Sequence, residues 1–138
     1  ERGKEEVNFL MKIIGNLIDE NIKEAKKEGV RIVHLGRKDR LPASLINKII
    51  KAEEETKNNT KHIFNIALDH GGQDEIVRAV KKIVEKKVSS NKIDVKLLDS
   101  YMDTDGQPYP YPDLIIRTSG EQRTSGGGGQ TRGYLGCC

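Results

Sequence analysis

The stretch Ile63-Phe64-Asn65-Ile66-Ala67-Leu68, running directly into Asp69-His70-Gly71-Gly72, decides how this chain folds. A short, mostly apolar run that stops at a polar turn with two glycines reads as a β-strand. Beyond the turn, Ile76, Val77, Val80, Ile83 and Val84 recur at three- and four-residue spacing, which predicts a helix burying that face. Strand, turn and helix in that order are the first half of a parallel crossover.

Moving toward the N-terminus, the same grammar repeats. Pro42 stands near the start of a helix, where its missing N–H costs nothing, and Leu45, Ile46, Ile49 and Ile50 supply the buried face up to Asn58-Asn59. Before it, Arg31-Ile32-Val33-His34-Leu35 is short and β-branched and ends at Gly36, as a buried strand does. From Lys4 to about Glu28, Val7, Leu10, Met11, Ile14, Leu17, Ile18 and Ile22 mark one helix face, closed by Gly29. Toward the C-terminus come a short helical turn at Val95 to Leu98, a proline-rich loop from Asp105 to Pro112, and a third apolar strand, Leu114-Ile115-Ile116. Alternation of helix and strand predicts an α/β fold with a mostly parallel sheet covered by helices on both faces.

With 138 residues the chain is long enough for one domain with a core. Four consecutive glycines, Gly126 to Gly129, open a segment without apolar periodicity, so the expected division is a domain over 1–125 and a flexible tail over 126–138. Lys and Arg number 24 against 21 Asp and Glu, spread over helix surfaces rather than gathered into a basic run, which does not point to nucleic acid. No apolar stretch approaches the roughly 18 residues of a membrane span, and Glu1-Arg2-Gly3-Lys4 opens no signal-peptide pattern, so a cytoplasmic protein is expected. The two cysteines, Cys137 and Cys138, are adjacent and cannot staple a fold.

Ligands of open α/β sheets bind outside the carboxyl ends of the strands, which directs attention to the residues after Leu35, Leu68 and Ile116. The third of these ends is the richest: Arg117-Thr118-Ser119-Gly120-Glu121-Gln122-Arg123-Thr124-Ser125. Two guanidinium forks, several hydroxyls and a glycine turn suit a diphosphate cradle; a polar surface loop with an ion pair from Glu121 to an arginine is the other reading.

Preceded by Pro112-Asp113-Leu114-Ile115-Ile116, that segment resembles the cis-prenyltransferase signature Asp-Leu-x-Ile-Arg-Thr-Ser/Gly-Gly-Glu-x-Arg-x-Ser, as found in undecaprenyl-diphosphate-synthase-like enzymes. Phe64 to Ile76 is similar to a second element of the family, Leu-Asn-Ile-Ala-x-Asn-Tyr-Gly-Gly-Arg-x-Glu-Ile, with Asp69, His70 and Gln73 at the departing positions. Val30 through Gly36 and Arg40-Leu41-Pro42 also resemble it, with Arg37 in the place of an aspartate. By the same register Glu1-Arg2-Gly3 would end a Ser-x-Glu-Asn-Trp-x-Arg-Pro motif. The resemblance covers residues 1 to about 126.

It implies that Arg2, Arg117, Arg123, Thr124 and Ser125 bind substrate, the last four on the diphosphate of isopentenyl diphosphate. It further implies a Mg²⁺-dependent condensation with an allylic diphosphate to give a polyprenyl diphosphate, by a homodimer working at the membrane surface. The family's His-x-x-x-x-x-Asp-Gly-Asn-Gly-Arg-Trp element, which carries the catalytic aspartate, does not occur in these residues. Neither does the aromatic-rich segment with its metal-binding glutamate. The sequence thus reads as the family fold shortened at both ends and inactive alone, with no catalytic residue, no metal ligand and an unpaired sheet edge. A non-catalytic partner subunit and a generic phosphate-binding module are the alternatives.

Three residues remain to be placed. His70 is a proton carrier or, on the reading preferred here, a site-wall or packing residue; Asp69 holds a metal, orients an arginine or, preferably, is structural; His34 is a core histidine.

Overall fold

A computed structural model of the chain describes residues 3–108, together with Asp113 and Leu114. The chain forms two compact units, Glu1–Asp69 and His70–Cys138.

In the first unit, helix α1 spans Lys4–Lys27 and strand β1 Val30–Leu35; helix α2 follows over Ala43–Thr56 and strand β2 over His62–Ala67. The strands pair in parallel from Val30 opposite His62 to Leu35 opposite Ala67, the crossover geometry expected of a strand–helix–strand segment. Gly29 takes a left-handed φ of 72° after the last turn of α1, which lets the chain reverse straight into β1. The side-chain amide of Asn59 donates to the carbonyls of Ala25 and Val30, tying the end of α1 to the start of β1. Pro42 begins α2 as the periodicity predicts, its carbonyl accepting from the amides of Leu45 and Ile46.

The core of this unit consists of Ile18 and Ile22 of α1, Ile32 of β1, Leu41, and Leu45, Ile49 and Ala52 of α2. Met11 and Ile14 pack against it, as their spacing predicts. Leu17 and Ile50 do not; each is about half exposed, at 51% and 50%. The α1–α2 seam runs through Gly15, whose missing side chain leaves room for Lys48 and Leu45, and a seam this narrow leaves apolar residues on its flanks outside.

The outward edge of β1 is partly covered by α2. Leu35 accepts from the amide of Leu68, so Arg31, Val33 and Leu35 face β2 while Ile32 and His34 face away. The amide of Ile32 donates to Thr56 Oγ1 at 2.9 Å and that of His34 to Glu53 Oε1 at 2.9 Å. Among the described residues β1 pairs with no strand but β2, so the expected edge is present, with two of its amides taken by side chains of α2.

The second unit holds helix α3, Gly72–Glu85, a single 3-10 turn at Ser90–Lys92, and the short helix α4, Val95–Asp99. Asp94 caps α4 by accepting from the amide of Leu97 at 2.7 Å. The buried face of α3 is Gly72, Glu75, Ala79 and Ile83, which corrects the apolar face expected from the sequence. Ile83 is common to both, whereas Val77, Val80 and Val84 lie on the exposed side. The reason is Glu75, 1% exposed, whose hydrogen bonds turn a polar position inward.

The structure bears out the α/β class: a parallel strand pair flanked by helices. The second strand lies one residue earlier than expected, at His62–Ala67. The expected third strand, apart from Leu114, and the tail over 126–138 fall outside the described residues. Among the described residues no helix is long and apolar enough to cross a membrane.

Candidate functional site

The two described strand ends of the first unit meet at a close backbone crossing. Gly36 has φ 113°, and a Cβ there would lie 2.4 Å from the carbonyl oxygen of Leu68 and 2.9 Å from that of Asp69. Only glycine fits, both for conformation and for space. Arg37 N–H donates to the Asp69 carbonyl at 3.1 Å, and Asp69 itself adopts a left-handed φ of 50°. His34, 7% exposed, is the core histidine expected, its Nε2 bonding to the Leu68 carbonyl at 3.1 Å. A carbonyl only accepts, so Nε2 carries the proton.

Around this crossing the cations are held by carboxylates. Arg40 forks onto Asp69, with Nε to Oδ2 at 2.7 Å and a second, shorter contact to Oδ1. Arg37 forks onto Asp39 at 3.0 and 2.6 Å, and Lys38 meets Glu53 at 2.6 Å. Hydrogen bonding to Arg40 holds Asp69 below the usual carboxylate range, and Arg37 does the same for Asp39. Asp69 thus orients an arginine, one of the roles that its sequence context left open beside the structural reading.

The second unit carries a denser network. His70 Nε2 lies 3.0 Å from Glu75 Oε2, with the two side chains only 6% and 1% exposed. The other Glu75 oxygen accepts from the amide of Asp103 at 2.8 Å. Both oxygens of Asp103 accept from Arg78, at 2.8 and 2.7 Å, and Arg78 Nε donates to Asp74 at 2.8 Å. The hydrogen bond to Glu75 raises the pKa of His70 against the opposing effect of burial, and Asp103 raises that of Arg78.

His70, Glu75 and Asp103 bring their ligand atoms within 4.8 Å of one another, the donor set of a small metal site. Arg78 already forks both Asp103 oxygens, so a divalent ion would sit beside a fixed guanidinium and compete with it. The cluster fits an ion-pair network and does not fit Mg²⁺.

The family model described as "Putative undecaprenyl diphosphate synthase" matches residues 1–126. The chain belongs to this family. It is 41% identical over 129 residues to an isoprenyl transferase of Clostridium tetani, covering 91% of this chain and 50% of that protein. It is 44% identical over 130 residues to the tritrans,polycis-undecaprenyl-diphosphate synthase (geranylgeranyl-diphosphate specific) of Methanocaldococcus jannaschii, covering 90% and 46%. Among solved structures, lavandulyl diphosphate synthase from Lavandula x intermedia, in complex with dimethylallyl diphosphate, aligns with TM-score 0.83 and 32% identity over 91% of this chain and 56% of that one. A probable undecaprenyl diphosphate synthase from Campylobacter jejuni aligns with TM-score 0.68 and 31% identity over 74% and 48%. The chain spans about half the length of the curated relatives it matches.

The residues that the family signature assigns to substrate, Arg2, Arg117, Arg123, Thr124 and Ser125, lie outside the described residues. The structure brings together a different set. Glu75, Arg78 and Asp103 were not singled out by sequence reasoning, and His70 was singled out without its partner. Glu75 lies five residues after His70, and Asp103 a further 28 on, a separation that no local pattern bridges. Two signals were available for Glu75: its place in the first turn of α3, where carboxylates are favoured, and the fixed glutamate of the family element that Phe64 to Ile76 resembles.

Proposed function

We propose that this chain is the isopentenyl-diphosphate-binding part of a cis-prenyl diphosphate synthase, which condenses isopentenyl diphosphate with an allylic diphosphate to lengthen a polyprenyl diphosphate. One observation carries the reading: a family match over residues 1–126 that includes the ordered signature from Asp113 to Ser125. In this reading residues 1–125 form the family-like domain, with 126–138 apart from it. Arg117 and Arg123 present planar forks to phosphate oxygens, while the hydroxyls of Thr124 and Ser125 complete the shell; Arg2 adds a further positive charge. The diphosphate held by these side chains is retained in the product, so their role is to bind and orient isopentenyl diphosphate, while the diphosphate that departs belongs to the allylic substrate. Mg²⁺, a homodimeric assembly and work at a cytoplasmic membrane surface belong to this reading through the family. Mg²⁺ would supply charge to the departing diphosphate, and no described residue of this chain is assigned to it.

The test places residues 1–125 into the full-length isoprenyl transferase of Clostridium tetani, in exchange for the matching segment. In that chimera, Arg117→Ala, Arg123→Lys and Ser125→Ala should raise the KM for isopentenyl diphosphate and leave that for the allylic substrate much less affected. A charge-assisted hydrogen bond contributes about 1.5–3 kcal/mol, so the expected rise is roughly ten- to a hundredfold. Equal weakening of both substrates would assign these residues to the fold instead.

A further inference from the structure

We infer that His70 and Glu75 form a proton-operated tether, in which the imidazolium is the counter-ion of a buried carboxylate that holds the segment after α4 onto α3. The inference rests on the described network and is independent of the prenyl-transfer reading.

The geometry sets the charges. Glu75 lies at the centre of the buried face of α3, and its two oxygens have separate tasks: one meets His70 Nε2 at 3.0 Å and the other accepts the amide of Asp103 at 2.8 Å. Among the described residues, the charged groups facing His70 include Glu75 and Arg78 of α3 and Asp103 of the segment beyond α4. Arg78 is itself shared between Asp103 and Asp74. His70 is the group placed against the Glu75 oxygen that the Asp103 amide does not take, where its imidazolium neutralises a buried carboxylate.

Protonated His70 donates a charge-assisted hydrogen bond to Glu75 and keeps that carboxylate oriented toward the Asp103 amide. Loss of the proton leaves the Glu75 carboxylate without its counter-ion in a site with 1% exposure. The Asp103 amide is then held by a carboxylate that is driven to seek solvent, so this backbone link weakens while the Arg78 fork still holds the Asp103 side chain. His70 stands where the family pattern has tyrosine, which can hydrogen bond but carries no positive charge at any pH.

The sign follows from the raised pKa of His70. The stabilisation is fully present below the ordinary imidazole value of about 6.5 and is lost as pH rises through the higher folded-state value.

The test is an NMR titration of the 138-residue chain, following the His70 ring and the Asp103 amide together. The His70 midpoint should lie above about 6.5, and the Asp103 amide shift should move with the same midpoint. Glu75→Gln, which keeps an oxygen for the Asp103 amide and removes the charge, should bring the His70 midpoint down. Thermal unfolding from acidic to alkaline pH should show the wild-type chain losing several degrees through that midpoint, with His70→Gln lacking this step. A wild-type His70 midpoint at or below the ordinary value overturns the proposal without recourse to any variant. So does an Asp103 amide that ignores the titration, or a His70→Gln chain with the wild-type pH profile.

Discussion

The two units keep their interiors closed by different physics. In the first, the buried positions that join α1, α2 and β1 are Ile18, Ile22, Ile32, Leu41, Leu45, Ile49 and Ala52, an apolar set. In the second, the buried face of α3 places Glu75 between Gly72 and Ala79, and the carboxylate is satisfied by His70 and the Asp103 amide. Apolar burial is non-directional and hardly senses pH. A buried carboxylate is directional and depends on the protonation of its partner. The first unit should therefore answer to side-chain volume, and the second to charge.

The largest expected effect tests volume. Ile49 is 2% exposed within the α1–α2–β1 core, and Ile49→Ala should destabilise the chain by about 2–5 kcal/mol through lost burial and the cavity left behind. Denaturant unfolding measures it, and a cost below about 1 kcal/mol would show that the core collapses around the change and that the contrast is overdrawn. The next tests geometry at constant charge. Arg78→Lys keeps one positive charge but cannot fork Asp103 while also donating to Asp74, so a loss on the order of 1.5–3 kcal/mol is expected. Hydrogen exchange at the Asp103 amide should rise in parallel, and a neutral outcome would reduce the network to simple charge balance.

The smallest effect belongs to the pair at the strand ends. Arg40 is 62% exposed, so Arg40→Ala should cost about 0–1 kcal/mol despite its two hydrogen bonds. It should nevertheless raise the pKa of Asp69 toward the ordinary carboxylate value, since Arg40 is the main cause of its depression. The contribution of this pair is present above the unfolded-state carboxylate pKa and is lost as pH falls through the lower folded value, opposite in sign to the His70 device. An Asp69 titration that does not move in Arg40→Ala would contradict the assignment.

How much of this was legible in the sequence follows the same divide. The apolar periodicity of α1 and α2 identified Ile18, Ile22, Leu45 and Ile49 because burial of a stripe leaves a repeating trace. Leu17 and Ile50 shared that repeat yet stayed at the surface, since periodicity gives a face but not its width. Glu75 left no such trace. One polar residue inside a helix reads as a solvated position until its partners are known, and Asp103 is distant in sequence. The arginines proposed to bind substrate were legible for another reason: the order of residues from Asp113 to Ser125 resembles a family signature.

Thr56 and Glu53 have a consequence for how the sheet can grow. By occupying the outward amides of Ile32 and His34, they leave an incoming β-segment two fewer donors along that margin, and Glu53 is in turn anchored by Lys38. Accretion of a further strand there would require α2 to surrender both acceptors, whereas none of these bonds obstructs the far margin of β2. The helix thus acts as a partial selvedge that blunts this margin against indiscriminate edge-to-edge association.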